Sequence, residues 1–517
     1  MARTIRAGLE PLSVETIVQI GTQNLPLSLD PGAIQTLADL RVKLEAQLGE
    51  GRAIYGVNTG FGFFSTCVIA KNDLMQLQLN LVRSHACGVG EPLAPEWVRA
   101  LLAVKIHNFM QGGSGVRPAC VTALWQFLQH DILPVIPRKG SVGASGDLAP
   151  LAHLALALLG EGEVFLRGTR MPTAQALQKT GLSPYILQEK EGLSLLNGTQ
   201  VMSTLAAFAL QQSKNLLEAA DIVSALSLTA FDAVLEPFDA RIHQLRPHPG
   251  QIQVAQNIRT LLETPETHIP KNSTRVQDPY SFRCIPQVHG AARDAITYCT
   301  QVIDRELNSI TDNPVMTSEG DLLSGGNFHG QYIAQVMDLT RIVMTDLGSI
   351  SERRMDKLLS PHFSQLPALL TENGGLESGF MIPQYVAAAL VSENKVLSYP
   401  ASIDTIPTSL NKEDHVSMGP IACHKALEIT QNVAKILAIE AIAACQALDL
   451  RDNRILSAPM ERVYTHIRSQ IPYMKQDRSL SKEIEQVATA ILDGSFLDSR
   501  WNLGQFSSSI TAVTGGF

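Results

Sequence analysis

Residues 201–235 read VMSTLAAFALQQSKNLLEAADIVSALSLTAFDAVL. Apolar side chains recur three and four positions apart, the period of an α-helix, and they leave almost no polar face. A helix that is apolar nearly all round belongs inside a bundle or a subunit interface. QYIAQVMDLTRIVMTDLGSISERRMDKLL at 331–359 and IACHKALEITQNVAKILAIEAIAACQALDL at 421–450 share the pattern. Together they predict an all-α fold: a long central helical bundle after an N-terminal mixed, mainly helical subdomain. A chain of 517 residues is long for one core. The reading therefore divides it into an N-terminal domain over 1–200 and a bundle domain over 201–517.

Composition narrows the function. Hydrophobic residues make up 45% and aromatic ones only 5%, so packing is aliphatic, and the net charge of −8 argues against a nucleic acid partner. MARTIRAGLEPL at the N-terminus has no apolar segment of the signal-peptide kind, and no run is long enough to span a bilayer. Cys67, Cys87, Cys120, Cys284, Cys299, Cys423 and Cys445 form no CxxC pair and read as buried thiols of a cytoplasmic protein. The histidines show no HxxxH or HxH spacing, so no metal site is expected. GGSGVR at 112–117 lacks the phosphate-loop pattern, so no nucleotide is expected either. The sequons at Asn197 and Asn272 mean little without a secretion signal.

Three polar segments, 246–283, 306–330 and 400–418, read as loops too long to be connectors. Long polar loops set into an apolar bundle are where function is expected.

GSVGASGDLAP at 140–150 is richer in small residues than a simple turn into a helix requires. Ser145 carries a β-hydroxyl that can leave. Gly146, lacking Cβ, lets its nitrogen approach the Ala144 carbonyl. Closing that bond with loss of two waters gives a methylidene-imidazolone, an electrophile that no ordinary side chain supplies. Asp147 is expected to cap the following helix, with Pro150 in its first turn. The plainer reading, a flexible turn into a helix, stands beside this one. No G-x-S-x-G elbow supports a serine hydrolase.

YGVNTGFG (55–62), SHACGVGEPL (84–93), GASGDLAPLAH (143–153), SLLNGTQ (194–200), QDPYSFRCIPQVHG (277–290), SGGNFHG (324–330) and EDHVSM (413–418) carry a resemblance along nearly the whole chain. Their order resembles the aromatic amino acid ammonia-lyase family, its histidine ammonia-lyase branch above all. The resemblance implies a helical homotetramer with active sites built from loops of three subunits. It also implies a 4-methylidene-imidazol-5-one (MIO) made from Ala144, Ser145 and Gly146, and non-oxidative loss of ammonia from an L-α-amino acid.

Ammonium is a poor leaving group and the β-proton is barely acidic, so an electrophile and a positioned base are both needed. Tyr55 matches the family's base; with an ordinary tyrosine pKa near ~10, such a role calls for nearby positive charge. Tyr280 matches a second tyrosine that handles protons. Arg283 is the clamp for the substrate carboxylate through paired hydrogen bonds. Asn197 and Gln277 match polar contacts, and Phe328 matches a pocket wall.

His85 and Glu413 match the pocket for the substrate's side chain. An imidazole offers one N–H and one lone pair, whereas a phenyl ring would leave a buried Glu413 unpaired. L-Histidine, converted to trans-urocanate as in histidine degradation, is therefore the expected substrate. A tyrosine ammonia-lyase or an MIO-dependent aromatic aminomutase is the alternative, because His85 can also bind a phenol. A non-catalytic helical assembly protein is a third. Pro279, Leu410 and Lys412 depart from the histidine pattern, and Lys412 could pair with Glu413 and withdraw it from substrate.

Overall fold

The computed structural model describes residues 3–49, 54–267, 275–452 and 454–497. Asn272 lies outside them, as do residues 498–517 of the expected second domain. Helices carry the fold, and the strands are only two to four residues long. The three apolar stretches form the helices Gln200–Phe231, Gln331–Leu359 and Gly419–Asp449.

The chain divides into two compact units. The first comprises Met1–Phe208, Thr300–Asp338 and Pro400–His424, so the polar segments near 306–330 and 400–418 belong with the N-terminal part. The cut expected at residue 200 assigned both to the bundle. At its centre runs the helix Pro95–Met110, started by Pro95 and Glu96 in its first turn. Every residue of it from Ala100 to Met110 is buried. The helix Val14–Gln23 packs on it, capped by the Ser13 hydroxyl and closed by Asn24 in the left-handed region. Short strands surround this core: Ile132–Pro134, Glu163–Leu166 and Thr169–Pro172 form an antiparallel sheet in that order.

The second unit comprises Ala209–Cys299, Leu339–Tyr399 and Lys425–Phe517. Its interior is aliphatic, with Leu216, Ile222, Val223, Leu226, Ile436, Leu437 and Ile442 almost fully buried. A polar network threads it. Glu440 accepts from Arg354 at 2.6 and 2.9 Å, from Ser227 at 2.7 Å and from Ser351 at 2.5 Å. Asp221 accepts from Arg293 and Asn257 and lies 2.9 Å from His289 Nδ1. Arg354 and Glu440 are wholly buried, so their desolvation must be offset by this full set of partners.

Segment 246–283 is not one loop. It contains the helix Pro249–Leu261, with Val254, Ile258 and Leu261 turned inward, and the helical turn Tyr280–Arg283. The cysteines are unpaired, but Cys67 and Cys87 are exposed rather than buried. Both sit in irregular segments, where no helix face carries the thiol inward.

Candidate active site

Tyr55 stands in a tight loop of the first unit. The Ile54 amide donates to Asn58 Oδ1 and the Gly56 amide to Thr59 Oγ1, which closes the turn around the ring. Tyr55 Oη accepts from the Gly62 amide at 3.2 Å, and its ring meets Phe61 edge to face. Gly62 has φ +53°, and a Cβ there would strike the Ser409 hydroxyl, with Glu413 Oε1 at 3.9 Å. The partner of Tyr55 and the carboxylate of Glu413 thus share one neighbourhood.

Glu413 closes a small strap. Thr408 and Glu413 exchange backbone hydrogen bonds of 2.8 and 3.2 Å, and Thr408 Oγ1 donates to Glu413 Oε2 at 2.9 Å. Between them Ser409, Leu410 and Asn411 all adopt positive φ. Three such non-glycine residues cost about 1–3 kcal/mol each and persist only where the surroundings impose them. Lys412 is exposed and, among the described residues, forms no ion pair with Glu413, so the feared withdrawal does not occur.

His85 ends the helix Leu74–His85. Its Nδ1 lies 2.9 Å from the Leu81 carbonyl, which can only accept; Nδ1 therefore carries the hydrogen and Nε2 presents a lone pair. Burial holds the His85 pKa below its ordinary value, against the Leu81 hydrogen bond and the charge of Glu413, so the ring is neutral at pH 7.

Ala144 and Ser145 lie between two glycines of positive φ, Gly143 at +74° and Gly146 at +78°. Ser141 Oγ accepts from the Gly143 amide and donates to the Gly146 carbonyl, which pinches the segment. Gly146 pairs with Gly198 in an isolated parallel bridge: the Asp147 amide donates to the Gly198 carbonyl at 2.8 Å, and the Gly198 amide faces the Ser145 carbonyl at 3.5 Å. Nothing larger than glycine fits, because a Cβ on Gly146 would stand 2.5 Å from the Gly198 carbonyl carbon.

Asn197, 3% exposed, follows the short helix Glu191–Leu196. Its Oδ1 is buried without a partner. The glycine-only cradle fits an imidazolone ring at residues 144–146; such a ring carries no N–H, so the Asn197 oxygen remains open to a donor on the substrate. Phe328 lies half-buried in the turn closed by the His329 amide on the Gly326 carbonyl.

Gln277, Tyr280 and Arg283 lie in the second unit. Gln277 and Tyr280 are exposed, Tyr280 by 71%. The Arg283 guanidinium stacks 4.6 Å from the Tyr280 ring centre, and its Nε is buried without an acceptor. Pro279 sits at the start of Tyr280–Arg283 with its carbonyl accepting from Phe282 and Arg283, a place that suits proline's fixed φ.

Residues 12–469 match the aromatic amino acid lyase family. This chain belongs to that family. It is 44% identical over 488 residues to the histidine ammonia-lyase of Alkaliphilus metalliredigens, covering 94% of this chain and 96% of that one. Among solved structures it is similar to histidine ammonia-lyase from Trypanosoma cruzi, with TM-score 0.89, 38% identity and coverage of 96% and 95%. It is also similar to tyrosine aminomutase from Streptomyces globisporus, with TM-score 0.91, 36% identity and coverage of 96% and 98%.

Two features of this lyase escaped sequence reasoning. Asp147 does not cap the helix Ala149–Leu158 that follows it; its Oδ2 accepts from the Val201 and Met202 amides at the start of Gln200–Phe231. A cap 54 residues away leaves no spacing signal. Burial pushes its carboxyl up to about 7. Lys105, wholly buried, is the other; a single lysine in LLAVKIHNFM carries no motif that marks it. Among the described residues no group of His, Cys, Asp or Glu could hold a metal ion, and no helix is long and apolar enough to cross a membrane.

Proposed function

We propose that this lyase releases ammonia from L-histidine without oxidation, leaving trans-urocanate, by means of an MIO formed from its own Ala144, Ser145 and Gly146. In place, that group supplies an electrophilic alkene that makes the substrate amine a better leaving group. Asn197 and the Gly198 amide are set to hold the ring at the Ser145 carbonyl. Tyr55 takes the β-proton, and Tyr280 assists in moving it. Arg283 clamps the substrate carboxylate, Gln277 adds a polar contact, and Phe328 walls the pocket.

The observation that carries the choice of histidine is a neutral His85 lying within electrostatic reach of Glu413. Both present acceptors, and the N–H of an imidazole satisfies one of them. A phenyl ring satisfies neither and leaves the carboxylate with only the Thr408 hydroxyl as a side-chain donor among the described residues. The relatives called histidine ammonia-lyase support the same reading.

We further propose a cytoplasmic homotetramer in which segment 277–283 serves the site of a neighbouring copy. The exposed Tyr280 and the unanswered Nε of Arg283 support that role. The N-terminal unit acts as the electrophile-bearing domain.

A second reading has its own support. The lone pair of His85 Nε2 also accepts the O–H of a phenol, and the likeness to a tyrosine aminomutase points the same way. Separate incubation with L-histidine, L-tyrosine and L-phenylalanine, followed by ultraviolet absorbance of the unsaturated acid, decides between them. Histidine is expected to be consumed fastest; faster loss of tyrosine would select the second reading, and β-tyrosine among the products would select the aminomutase.

A further inference from the structure

We propose that Lys105 is a positioning residue that drives the self-cyclisation of Ala144-Ser145-Gly146 through the Asn197–Gly198 peptide. The inference rests on the electrophile assigned above.

Lys105 lies in the middle of the helix Pro95–Met110, and no part of it reaches solvent. An ammonium is costly to bury, and a leucine would serve the packing better. All three of its hydrogens are used: Nζ donates to the Ser194 carbonyl at 2.7 Å, the Asn197 carbonyl at 3.0 Å and Gln200 Oε1 at 3.2 Å. Burial pulls its pKa down to about 8, with Asp312, Cys120 and Asp147 opposing that shift and Lys190 adding to it.

The Asn197 carbonyl belongs to the same peptide unit as the Gly198 N–H, which faces the Ser145 carbonyl. A cation on the carbonyl end of a peptide draws electron density through it and strengthens the N–H as a donor. Lys105 therefore acts on the Ser145 carbonyl across one peptide. The same turn is held from its amide side by Asp147 Oδ2 on the Val201 and Met202 amides. Fixed from both sides, Gly198 presents its N–H to Ser145 and its carbonyl to the Asp147 amide, which locks Gly146 in its left-handed turn.

The chemistry needs that donor. The Gly146 nitrogen bonds to the Ala144 carbonyl carbon; the Ala144 oxygen leaves as water with one hydrogen from Gly146 N and one from Ser145 N, forming a C=N bond. The Ser145 hydroxyl leaves as a second water with the Ser145 α-hydrogen, forming the methylidene. No oxidant is consumed. As the α-hydrogen departs as a proton, negative charge builds on the Ser145 carbonyl oxygen, where the polarised Gly198 N–H stabilises it.

The test compares full-length wild type, Lys105→Met and Lys105→Gln, each collected as folded protein by size exclusion with helical content checked by circular dichroism. The tryptic peptide of residues 140–167 is then weighed. Wild type is expected to be two waters lighter throughout. Lys105→Met is expected to carry at least tenfold less cyclised peptide at equal times after synthesis. Lys105→Gln, which keeps a donor without charge, is expected to fall between them, and it is the variant to read if Lys105→Met does not fold. A merely structural lysine would leave the folded fraction fully cyclised, and that result in either variant overturns the inference. An unmodified wild-type peptide instead sinks the electrophile itself.

Discussion

Gly146→Ala is the most exacting perturbation of the cradle. Gly146 holds φ +78°, which costs an L-residue about 1–2 kcal/mol. The new Cβ would stand 2.5 Å from the Gly198 carbonyl carbon, with the oxygen nearer still, against the 3.4 Å of ordinary contact. The carbon alone requires 3.4 − 2.5 = 0.9 Å, and the nearer oxygen more, so the two backbones must part by more than 0.9 Å. That separation weakens the 2.8 Å hydrogen bond from the Asp147 amide, a loss of about 1 kcal/mol. The local cost is about 2–3 kcal/mol, tolerable for the fold. The geometric cost is larger, because a displacement of about 1 Å at a reacting centre lowers rates about 100-fold. The expected outcome is a chain that melts cooperatively with near wild-type helicity, while peptide mass spectrometry finds cyclisation slowed by about 100-fold. Cyclisation at the wild-type rate would refute the claim that the Gly146–Gly198 approach drives the reaction.

Glu413→Gln removes the charged acceptor and should lower kcat/KM for histidine by about 10–100-fold, the worth of a charge-assisted hydrogen bond of about 1.5–3 kcal/mol, while narrowing the gap to tyrosine. Parallel rates on both substrates check it, and unchanged histidine kinetics would contradict it. Lys412→Ala, which removes an exposed side chain unpaired with Glu413, should change kcat/KM by less than about fivefold, as expected for a surface charge worth ~0–1 kcal/mol. His424, chiefly through burial and then through the charge of Arg138, has a pKa near 4 rather than 6.5. The unfolded chain therefore takes up its proton first as pH falls. Stability is lost from pH 6.5 down to about 4 and levels off below, by up to ~3 kcal/mol. Urea midpoints against pH should show that slope in wild type and a shallower one in His424→Asn.

Local signals were legible in the sequence and long-range ones were not. The period of the 201–235 stretch gives a helix correct to a few residues at either end, because burial on every face leaves nothing to interrupt it. The glycines flanking Ser145 announced a special turn, since positive φ selects for them. The Gly198 partner, the distant cap made by Asp147 and the inward-facing Lys105 depend on contacts between residues far apart in the chain. Pro249–Leu261 was hidden by the prolines and polar residues around it, which mimic a loop. Lys412 shows the opposite case: adjacency in sequence suggested a pair with Glu413, but among the described residues no ion pair joins them.

The central claim is that this chain builds its own electrophile from Ala144, Ser145 and Gly146 and uses it on histidine. Freshly purified, active wild type should yield a 140–167 peptide lighter than its sequence by two waters, with catalytic activity rising in proportion to the modified fraction. Full activity on histidine in protein whose peptide has its unaltered sequence mass would contradict the account.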